Sequence, residues 1–393
     1  MFRYIFRHIR HFLSSCNESF REELRLIVRD QGLLVFMFLV PLAYPLLYAF
    51  IYTGEVVREV PIAVVDDSRT ALSREYLRHV DASADVKIVD HCANMADAKQ
   101  LIKHRDAYGI VYVPRDFSTR LLRGDRVAVS IYCDMSGMLY YKALLTTNTN
   151  VSLDMNARLK KMKAGNYTDR EDAVTAHPIA YKEVSLFNPQ NGFASFLIPA
   201  VLVLILQQTL LLAIGMANGT RRENNTFRAL SPLAQRGGTF SVVGGQASAY
   251  LLVYIAIATY VLGVVPHLFS LPQIGNVADI FLLTIPYLLA SIFFAMCVSA
   301  LMRRREECML YVVFTSLPFL FISGVSWPGA AMPAAWKVLS WAFPSTFGIN
   351  GFLKINNMGA TFTQVSAEWW ALWAQVLVYA LLATYLTRRR IRG

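Results

Sequence analysis

Side chains able to bind a metal or act as acid, base or nucleophile are scattered along this sequence. Four histidines show no metal-ligand spacing: His79, His91, His104 and His177. Asp66, Asp67 and Asp116 stand where strands are expected to end and helices to begin, where a carboxylate commonly caps a helix. The sequence contains neither G-x-x-x-x-G-K-[ST] nor H-E-x-x-H. We therefore predict no catalytic, cofactor-binding or metal site in this chain; if the protein uses ATP, the ATP and its Mg must be bound by a partner.

The five cysteines include no C-x-x-C pair, which argues against a zinc cluster or a disulfide scaffold. Cys92 and Cys133 each close a predicted strand. We expect these strands at opposite edges of a sheet, and therefore expect no disulfide between the two cysteines.

The composition is that of an integral membrane protein. Hydrophobic residues make up 55% of the 393 residues and charged residues only 17%, and the mean hydropathy is +0.39. The net charge of +11 would suit a nucleic-acid-binding protein only if the cations shared one soluble face. Their distribution follows the membrane topology instead, so we predict no nucleic-acid partner.

Six apolar segments approach the roughly 20 residues that a transmembrane helix needs. They are residues 32–52, 193–218, 240–265, 280–302, 309–325 and 369–387. The fold class predicted is an α-helical polytopic membrane protein with six transmembrane helices. Because the first apolar core is long and no A-x-A-like site follows it, we expect a retained anchor rather than a cleaved signal.

Lysine and arginine mark one side of the membrane. They are frequent in residues 1–31, 219–239, 303–308 and the tail 388–393, whereas residues 266–279 contain none and residues 326–368 contain only Lys337 and Lys354. The positive-inside rule therefore predicts that both termini are cytoplasmic.

The N-terminal stretch has the pattern of an amphipathic helix. One face would carry Phe2, Ile5, Phe6, Ile9, Phe12 and Leu13, and the other Arg3, Arg7 and Arg10. Such a helix could lie along the cytoplasmic leaflet, or its arginines could serve only to set the topology. The sequence leaves both interpretations open.

Residues 53–192 alternate apolar runs with amphipathic ones, which predicts an inserted extracytoplasmic α/β domain with a largely parallel sheet. The expected strands are 60–66, 86–92, 108–114 and 127–133, and the expected helices are 71–80, 95–104, 117–122 and 138–162. Residues 179–187 would lead the chain back to the bilayer.

The predicted spans contain no Asp, Glu, Lys or Arg in their apolar cores, which argues against an ion-coupled transporter. Their main polar residues are Gln207, Gln208, Gln246 and Gln375. We expect these to bond between helices rather than to contact cargo, although they could line a pathway or interface.

Because the spans lack ionisable residues, the energy for any transport should enter from outside the bilayer. The polar loop 219–239 could receive it through a short surface helix stopped by Pro232, or could be a simple connection.

Several segments resemble the ABC-2 type family of ABC-exporter permeases, in the branch with a large domain between the first two spans. The start from Arg25 to Pro41, the external segments VPIAVVDDSRTALSREYLRHVDAS and VPRDFSTRLLRGD, and LFNPQNGFASFLIPA are similar to that family. The segment RRENNTFRALSPL resembles its ATPase-coupling loop. The site residues that this resemblance assigns there are Arg222, Glu223, Thr226, Phe227, Leu230, Ser231 and Pro232. Asn224, Asn225 and the Gly245-Gln246 pair depart from the usual pattern.

The segment before the last span also resembles the family. Matching residues of the external region 326–368 and its edge are Gly324, Pro328, Met332, Pro333, Pro344, Ser345 and Thr346. On composition alone this region is either a set of short re-entrant helices, such as 334–343, or an interfacial loop anchored by Trp327, Trp336 and Trp341. The resemblance favours the re-entrant form.

The resemblance implies the permease subunit of an ATP-driven exporter in a bacterial plasma (inner) membrane. The apolar, glutamine-containing spans would suit an amphipathic, lipid-like or drug-like cargo. It further implies two cytoplasmic ATPase subunits, a second permease copy or homologue, contact with membrane lipid, and in some members a periplasmic adaptor with an outer-membrane channel. The alternative is a membrane-anchored sensor or mechanical transmitter that uses the α/β domain to bind a ligand or partner.

Overall fold

The structure is a computed structural model that describes residues 2–52, 54–165, 168–176, 186–188 and 191–392. It divides into two compact units. Met1–Glu55 and Ser185–Gly393 form the membrane unit, and Val56–Val184 forms the α/β unit. The α/β unit is therefore shorter than the expected 53–192. The predicted return segment 179–187 lies mostly outside the described residues.

The chain begins in the membrane unit, passes through the α/β unit and then returns to the membrane unit. The membrane unit begins with α1 (Phe2–Arg29) and α2 (Gln31–Ile51). The α/β unit follows with β1 (Val60–Asp66), α3 (Ala71–Asp81), β2 (Val86–His91), α4 (Met95–His104), β3 (Gly109–Val113), α5 (Phe117–Arg123), β4 (Ser130–Cys133), α6 (Met138–Ala164) and α7 (Asp169–Ala176). The membrane unit resumes with α8 (Phe193–Glu223), α9 (Ser231–Gly237), α10 (Thr239–Leu268), α11 (Val277–Ser299), α12 (Glu307–Ile322), α13 (Ala334–Ser340), α14 (Pro344–Asn356) and α15 (Ser366–Arg392).

The α/β unit contains a four-stranded sheet in the order β2-β1-β3-β4. The first three strands are parallel and β4 is antiparallel to β3. Apolar residues of α3 and α6 pack on one face of the sheet, and those of α4 pack on the other. The strand and helix bounds agree with the expected ones to within three residues. Helix α7 was not predicted, because its acidic sequence has no apolar periodicity.

The two cysteines of this unit are free thiols. Cys133 belongs to β4 and Cys92 directly follows β2, so the sheet order places them at its two outer strands. This separation agrees with the expectation that they form no disulfide.

Helix α8 is the centre of the membrane unit. Nearly all its residues are buried, and it contacts α2, α11, α12 and α14. Glycine permits the closest of these contacts. A Cβ on Gly219 would lie 2.7 Å from the Cα of Arg305, and one on Gly215 would lie 2.8 Å from the Cβ of Cys308. The apolar sequence thus produces a central helix wrapped by the others.

Among the described residues, five helices are long and apolar enough to cross a membrane: α2, α8, α10, α11 and the segment Phe362–Ile391 that contains α15. The remaining expected span, 309–325, is the apolar helix α12 of 16 residues. It falls short of about 20 residues because the chain turns at Gly324, whose φ is +89°. The sixth crossing therefore stays a prediction.

The region expected to be re-entrant forms two short helices, α13 and α14, with a turn at residues 341–343. Gln375 Nε2 donates to the Trp341 carbonyl at 2.7 Å, and the Tyr379 hydroxyl donates to the Ala342 carbonyl. Both donors lie in the middle of α15, so the turn lies halfway along that helix. Helix α14 follows this turn, is mostly buried, and packs against α8 and α11.

Candidate functional site

Four arginine-bearing segments meet at one end of the membrane unit. They are the C-terminal half of α1 with Asp30, the last turn of α8 with residues 224–237, the α11–α12 connection 300–306, and the last turns of α15. We call this assembly the arginine-rich end. The lysine and arginine counts alone predicted that these segments share a side, but not that they interlock.

A buried ion pair lies at the centre of the arginine-rich end. The Arg221 guanidinium donates to one Glu23 carboxylate oxygen, and the Tyr250 hydroxyl donates to the other at 2.8 Å. The side chains of Glu23 and Arg221 are only 1% and 8% exposed. A buried charge is costly unless it is paired and hydrogen-bonded. Glu23 of α1 therefore has to stay in contact with Arg221 of α8 and Tyr250 of α10, and this triad holds the three helices together.

Sequence reasoning missed this pair for a specific reason. The second span was expected to end at residue 218, so Arg221 was assigned to a loop, whereas α8 continues to Glu223. Glu23 was treated as part of a surface helix. The available signal was the spacing of Ser15, Ser19, Glu23 and Ile27, which are buried along one face of α1.

The connection between α11 and α12 is held from three sides. Arg222 Nη1 donates to the Met302 carbonyl at 2.8 Å, and Arg390 Nη2 donates to the carbonyls of Ser299 and Ala300. These donors satisfy carbonyl groups at the C-terminal end of α11, which have no partner within the helix. The Glu223 carboxylate accepts the backbone N–H of Arg305 at 2.9 Å.

Asp30 connects α1 and α2 to the same connection. Its carboxylate accepts from Arg305 Nη2 at 2.7 Å and from the Leu33 backbone N–H at 3.1 Å. Burial by itself would raise the pKa of Asp30, but the hydrogen bonds from Arg305 and Leu33 outweigh it, and the net pKa is lowered. Asp30 is therefore a charged partner of Arg305 at neutral pH.

Helix α1 packs closely on α10 through residues without bulk. A Cβ on Gly245 would lie 2.3 Å from the Cys16 carbonyl oxygen and 2.8 Å from the Ser19 Cβ. The Ser19 hydroxyl also donates to the Val242 carbonyl at 2.9 Å. This part of α1 therefore packs against protein.

The rest of the predicted amphipathic face lies closer to the N-terminus. Ile9 and Leu13 are 51% and 59% exposed. The side chains of Phe2, Ile5 and Phe6 lie outside the described residues. An apolar face available to lipid is consistent with the described part, and the leaflet interpretation stays open.

The predicted coupling loop 219–239 is more structured than expected. Residues 219–223 form the end of α8, and Thr226–Leu230 form a 3₁₀ helix. The 3₁₀ helix ends at Leu230, directly before Ser231, as expected, but Pro232 does not end the helical structure. It stands in the first turn of α9, where a missing N–H costs nothing, and α9 begins at Ser231.

The unusual asparagine before Thr226 has a conformational explanation. Asn225 has φ +54° and ψ 28°, in the left-handed region that glycine enters freely and asparagine tolerates best among other residues. The departure from a glycine-containing run therefore preserves the turn between α8 and the 3₁₀ helix.

Residues 222–237 combine an anchored inner side with an exposed outer side. Leu230 and Leu233 are buried against Val242 of α10, and Ile391 of α15 packs on the same cluster. The Arg390 guanidinium lies 5.2 Å from the centre of the Phe227 ring. Arg222, Glu223, Thr226 and Pro232 are exposed, and Ser231 is half-buried. A partner bound on the outer side would thus act on α10 and α15 directly.

The four glutamines have different environments. Gln375 bonds to Trp341, as described above, and Gln246 is buried on α10. Gln207 and Gln208 are buried in α8, and their amide atoms have no hydrogen-bond partner among the described residues. The expected inter-helix bonding therefore holds for Gln375 only, and a pathway role for any of the four stays a prediction.

The residues assigned to the external region mostly shape its backbone. Gly324 provides the turn after α12, and Pro328, Pro333 and Pro344 precede or begin the Gly329–Ala331 turn, α13 and α14 respectively. Ser345 and Thr346 are buried at the start of α14, with hydroxyls that have no partner among the described residues.

Comparisons with known proteins agree with this architecture. Residues 32–385 match the model of a family described as "ABC-2 family transporter protein". The chain is similar to the linearmycin resistance permease protein LnrN of Bacillus subtilis (strain 168), with 22% identity over 87% of this chain and 91% of that protein. It is also similar to ABC transporter G family member 20 of Dictyostelium discoideum, with 21% identity over 92% of this chain. The matched region is 48% of the Dictyostelium protein, so the chain spans about half the length of that relative.

Proposed function

The chain belongs to the ABC-2 family of transporter proteins, and from this premise we propose that it is the permease subunit of an ATP-driven exporter. The ATP would be hydrolysed by a separate subunit bound at the arginine-rich end. The observation that carries the proposal is the segment 222–237, which is exposed on its outer side and joined on its inner side to the surrounding helices.

The contacts of this segment provide a route for force. Arg222 and Glu223 hold the α11–α12 connection, Arg221 holds α1 through Glu23, and Leu230 and Leu233 pack on α10. A displacement of the segment by a bound ATPase would therefore be felt by several helices at once. Such coupling needs no ionisable group at the bilayer centre.

The same end would face the cytoplasm. The positive-inside rule assigns the arginine-rich end to the cytoplasmic side of a bacterial inner membrane, with both termini there and the α/β unit outside the cell interior. The family supports a multi-pass membrane protein. The orientation is our proposal and rests on the charge distribution.

Cargo and assembly are proposed from the family and the relatives. We infer export of an amphipathic, lipid-like or drug-like molecule, in keeping with a relative whose name refers to linearmycin resistance. A second permease copy or homologue would complete the pathway. Contact with membrane lipid follows from the apolar spans, and a periplasmic adaptor with an outer-membrane channel would extend the pathway in a two-membrane envelope.

Site-specific photo-crosslinking in living cells tests the ATPase site. A photoreactive amino acid replaces Gln235, which is exposed on α9, and in a matched strain it replaces Lys337, which is exposed on α13 and does not belong to the arginine-rich end. The proposal expects crosslinks from position 235, but not from 337, to a protein with a P-loop motif. Crosslinks to such a protein from 337 alone, or from neither position, would contradict it and would favour the sensor alternative.

A further inference from the structure

The α/β unit contains a cavity of about 920 Å³ between helix α3 and the outer strand β2. Three arginines line it: Arg69, Arg74 and Arg78. His91 and Cys92, at the carboxyl end of β2, line it as well. We call this cavity the arginine groove. It lies beside the carboxyl ends of the parallel strands β1 and β2, where ligands bind in many open α/β sheets.

The three arginines have no ion-pair partner among the described residues, unlike some other basic residues of the unit. Arg158 pairs with Glu75, Lys87 with Glu59, and Arg120 with Asp116. By contrast, Arg69, Arg74 and Arg78 form no ion pair with any described residue. Only Arg74 has a described side-chain bond, from Nε to the Thr70 carbonyl at 3.2 Å. All three side chains are exposed, and their remaining donors have no acceptor among the described residues.

The carboxylates beside the groove are already engaged. Asp66 accepts from the backbone N–H groups of Ser68 and Arg69 and from the Ser73 hydroxyl. Asp81 accepts the backbone N–H of Ile88 at 2.8 Å. The groove lining holds three arginines against these two carboxylates, which leaves it with a net positive charge that favours an external anion.

The edge of β2 is closed to an added peptide strand. Asp81 covers the Ile88 N–H, and the register between β1 and β2 shifts at Ile62 and Ala63, so that Val89 has no partner. Blocked donors and bulges of this kind prevent edge-to-edge pairing. The groove thus suits a compact anion better than an extended acidic segment.

We propose that the arginine groove binds a phosphate group, carried by a lipid headgroup or by a free phosphorylated molecule. The arginine guanidinium presents a planar set of N–H donors that matches phosphate oxygens. Three guanidinium groups offer more donors than a single carboxylate can accept. Arg74 and Arg78 are four residues apart on α3 and contact the same anion from one side, while Arg69 contacts it from the loop before the helix. This site is independent of the transport role proposed above.

Cys92 lines the groove, so the reactivity of its thiol can report whether the groove is occupied. Burial and the nearby Asp90 and Asp97 raise the pKa of its thiol, so labelling is best followed at mildly alkaline pH. In a Cys16→Ser/Cys133→Ser background it is the one cysteine that is not fully buried, since Cys297 and Cys308 are buried. The rate of maleimide labelling of the full-length chain then measures how accessible the groove is.

The experiment compares two sources of phosphate. In micelles of an uncharged maltoside detergent, inorganic phosphate is added and compared with sodium chloride of equal ionic strength. In a second arm, phosphatidylglycerol is added to the same micelles and no inorganic phosphate is present. The proposal expects labelling of Cys92 to slow by at least about threefold in one arm or both, and the arm identifies the source.

Variants decide whether the arginines are responsible. The protection should be abolished in Arg74→Gln/Arg78→Gln and, separately, in Arg69→Gln, because these variants lose guanidinium groups that would bind the phosphate. All three side chains are exposed, so their replacement leaves the fold intact. The matched control Arg120→Gln/Arg123→Gln removes the same charge from α5 and should keep the protection. No protection in either arm, or protection that persists in all the groove variants, would overturn the proposal.

Discussion

At the scale of single residues, the Glu23–Arg221 pair is a buried ion pair whose loss should be costly. Its two charges are almost wholly buried and share hydrogen bonds with each other and with Tyr250. A buried pair adds little compared with apolar side chains of the same shape, but losing one partner leaves an uncompensated charge. The pair therefore fixes which helices meet rather than simply adding stability.

This asymmetry gives a measurable prediction for Glu23. Glu23→Ala should destabilise the membrane unit by about 3–5 kcal/mol, because Arg221 would remain buried and unpaired. The double variant Glu23→Leu/Arg221→Met should recover most of that loss. Glu18→Ala, which breaks an exposed pair with Arg236, is the control and should cost at most about 1 kcal/mol. Chemical denaturation in detergent measures all three, and equal losses for Glu23→Ala and Glu18→Ala would show that the pair is not buried.

Asn225 gives a second prediction at this scale. Its left-handed backbone should make Asn225→Val unfavourable by about 1–2 kcal/mol, whereas Asn225→Gly should be tolerated. Asn224→Val is the control, since Asn224 has an ordinary φ of −87°. Protease sensitivity of segment 222–237 is the measurement. If Asn225→Val and Asn224→Val behave alike, the turn does not require a left-handed residue.

At the scale of elements, the α/β unit was largely predictable from sequence and the packing of α1 was not. Strands such as Val60–Asp66 are short apolar runs bounded by turn residues, so their own composition marks them. The attachment of α1 depends on Ser15, Ser19 and Glu23 meeting residues more than 190 positions away. Periodicity reveals that a helix has two faces, but not which partner covers each face.

The contact between α1 and α10 leads to a prediction with an internal control. Gly245→Ala should destabilise the protein by about 1–3 kcal/mol, because its Cβ would overlap the backbone of α1 at Cys16. Gly244→Ala, one residue earlier in α10, has nothing within 4 Å of its Cβ and should be neutral or slightly stabilising. Thermal unfolding in detergent compares the two. A ranking in the opposite order would mean that α1 does not pack at Gly245.

The elements of the candidate site were also predictable only in part from sequence. The resemblance of RRENNTFRALSPL located the segment that forms Thr226–Leu230 and α9, whereas the expectation that Pro232 stops a helix missed the start of α9 there. A proline after a short helix ends that helix or begins the next, and only the backbone of Leu230 and Ser231 decides between them. Local sequence therefore found the segment but could not give its geometry.

At the scale of the whole molecule, the topology follows from charges that the structure gathers at one end. The family match runs from residue 32 to residue 385 and so includes both the α/β unit and the last helix. If α12 crosses the bilayer despite its 16 residues, the chain makes six crossings and both termini share a side with residues 300–306.

Cysteine accessibility in intact cells measures this topology. Single cysteines at Arg304 and Arg389 should be protected from a membrane-impermeant reagent until the cells are permeabilised, and a cysteine at Lys99 in the α/β unit should react at once. The expectation rests on the positive-inside rule. Arg304 and Arg389 on opposite sides would indicate an odd number of crossings between them and would remove the basis for a single cytoplasmic end.

The central claim is that an ATPase subunit drives this chain through segment 222–237. The most direct measurement is ATP turnover and cargo movement by the chain and its ATPase subunit, reconstituted together in proteoliposomes. Glu223→Ala and Phe227→Ala should leave the complex assembled but uncouple ATP hydrolysis from cargo movement, while Lys337→Ala on α13, outside the arginine-rich end, should behave like the unaltered protein. If both substitutions in the segment leave hydrolysis and movement fully coupled, the account is contradicted.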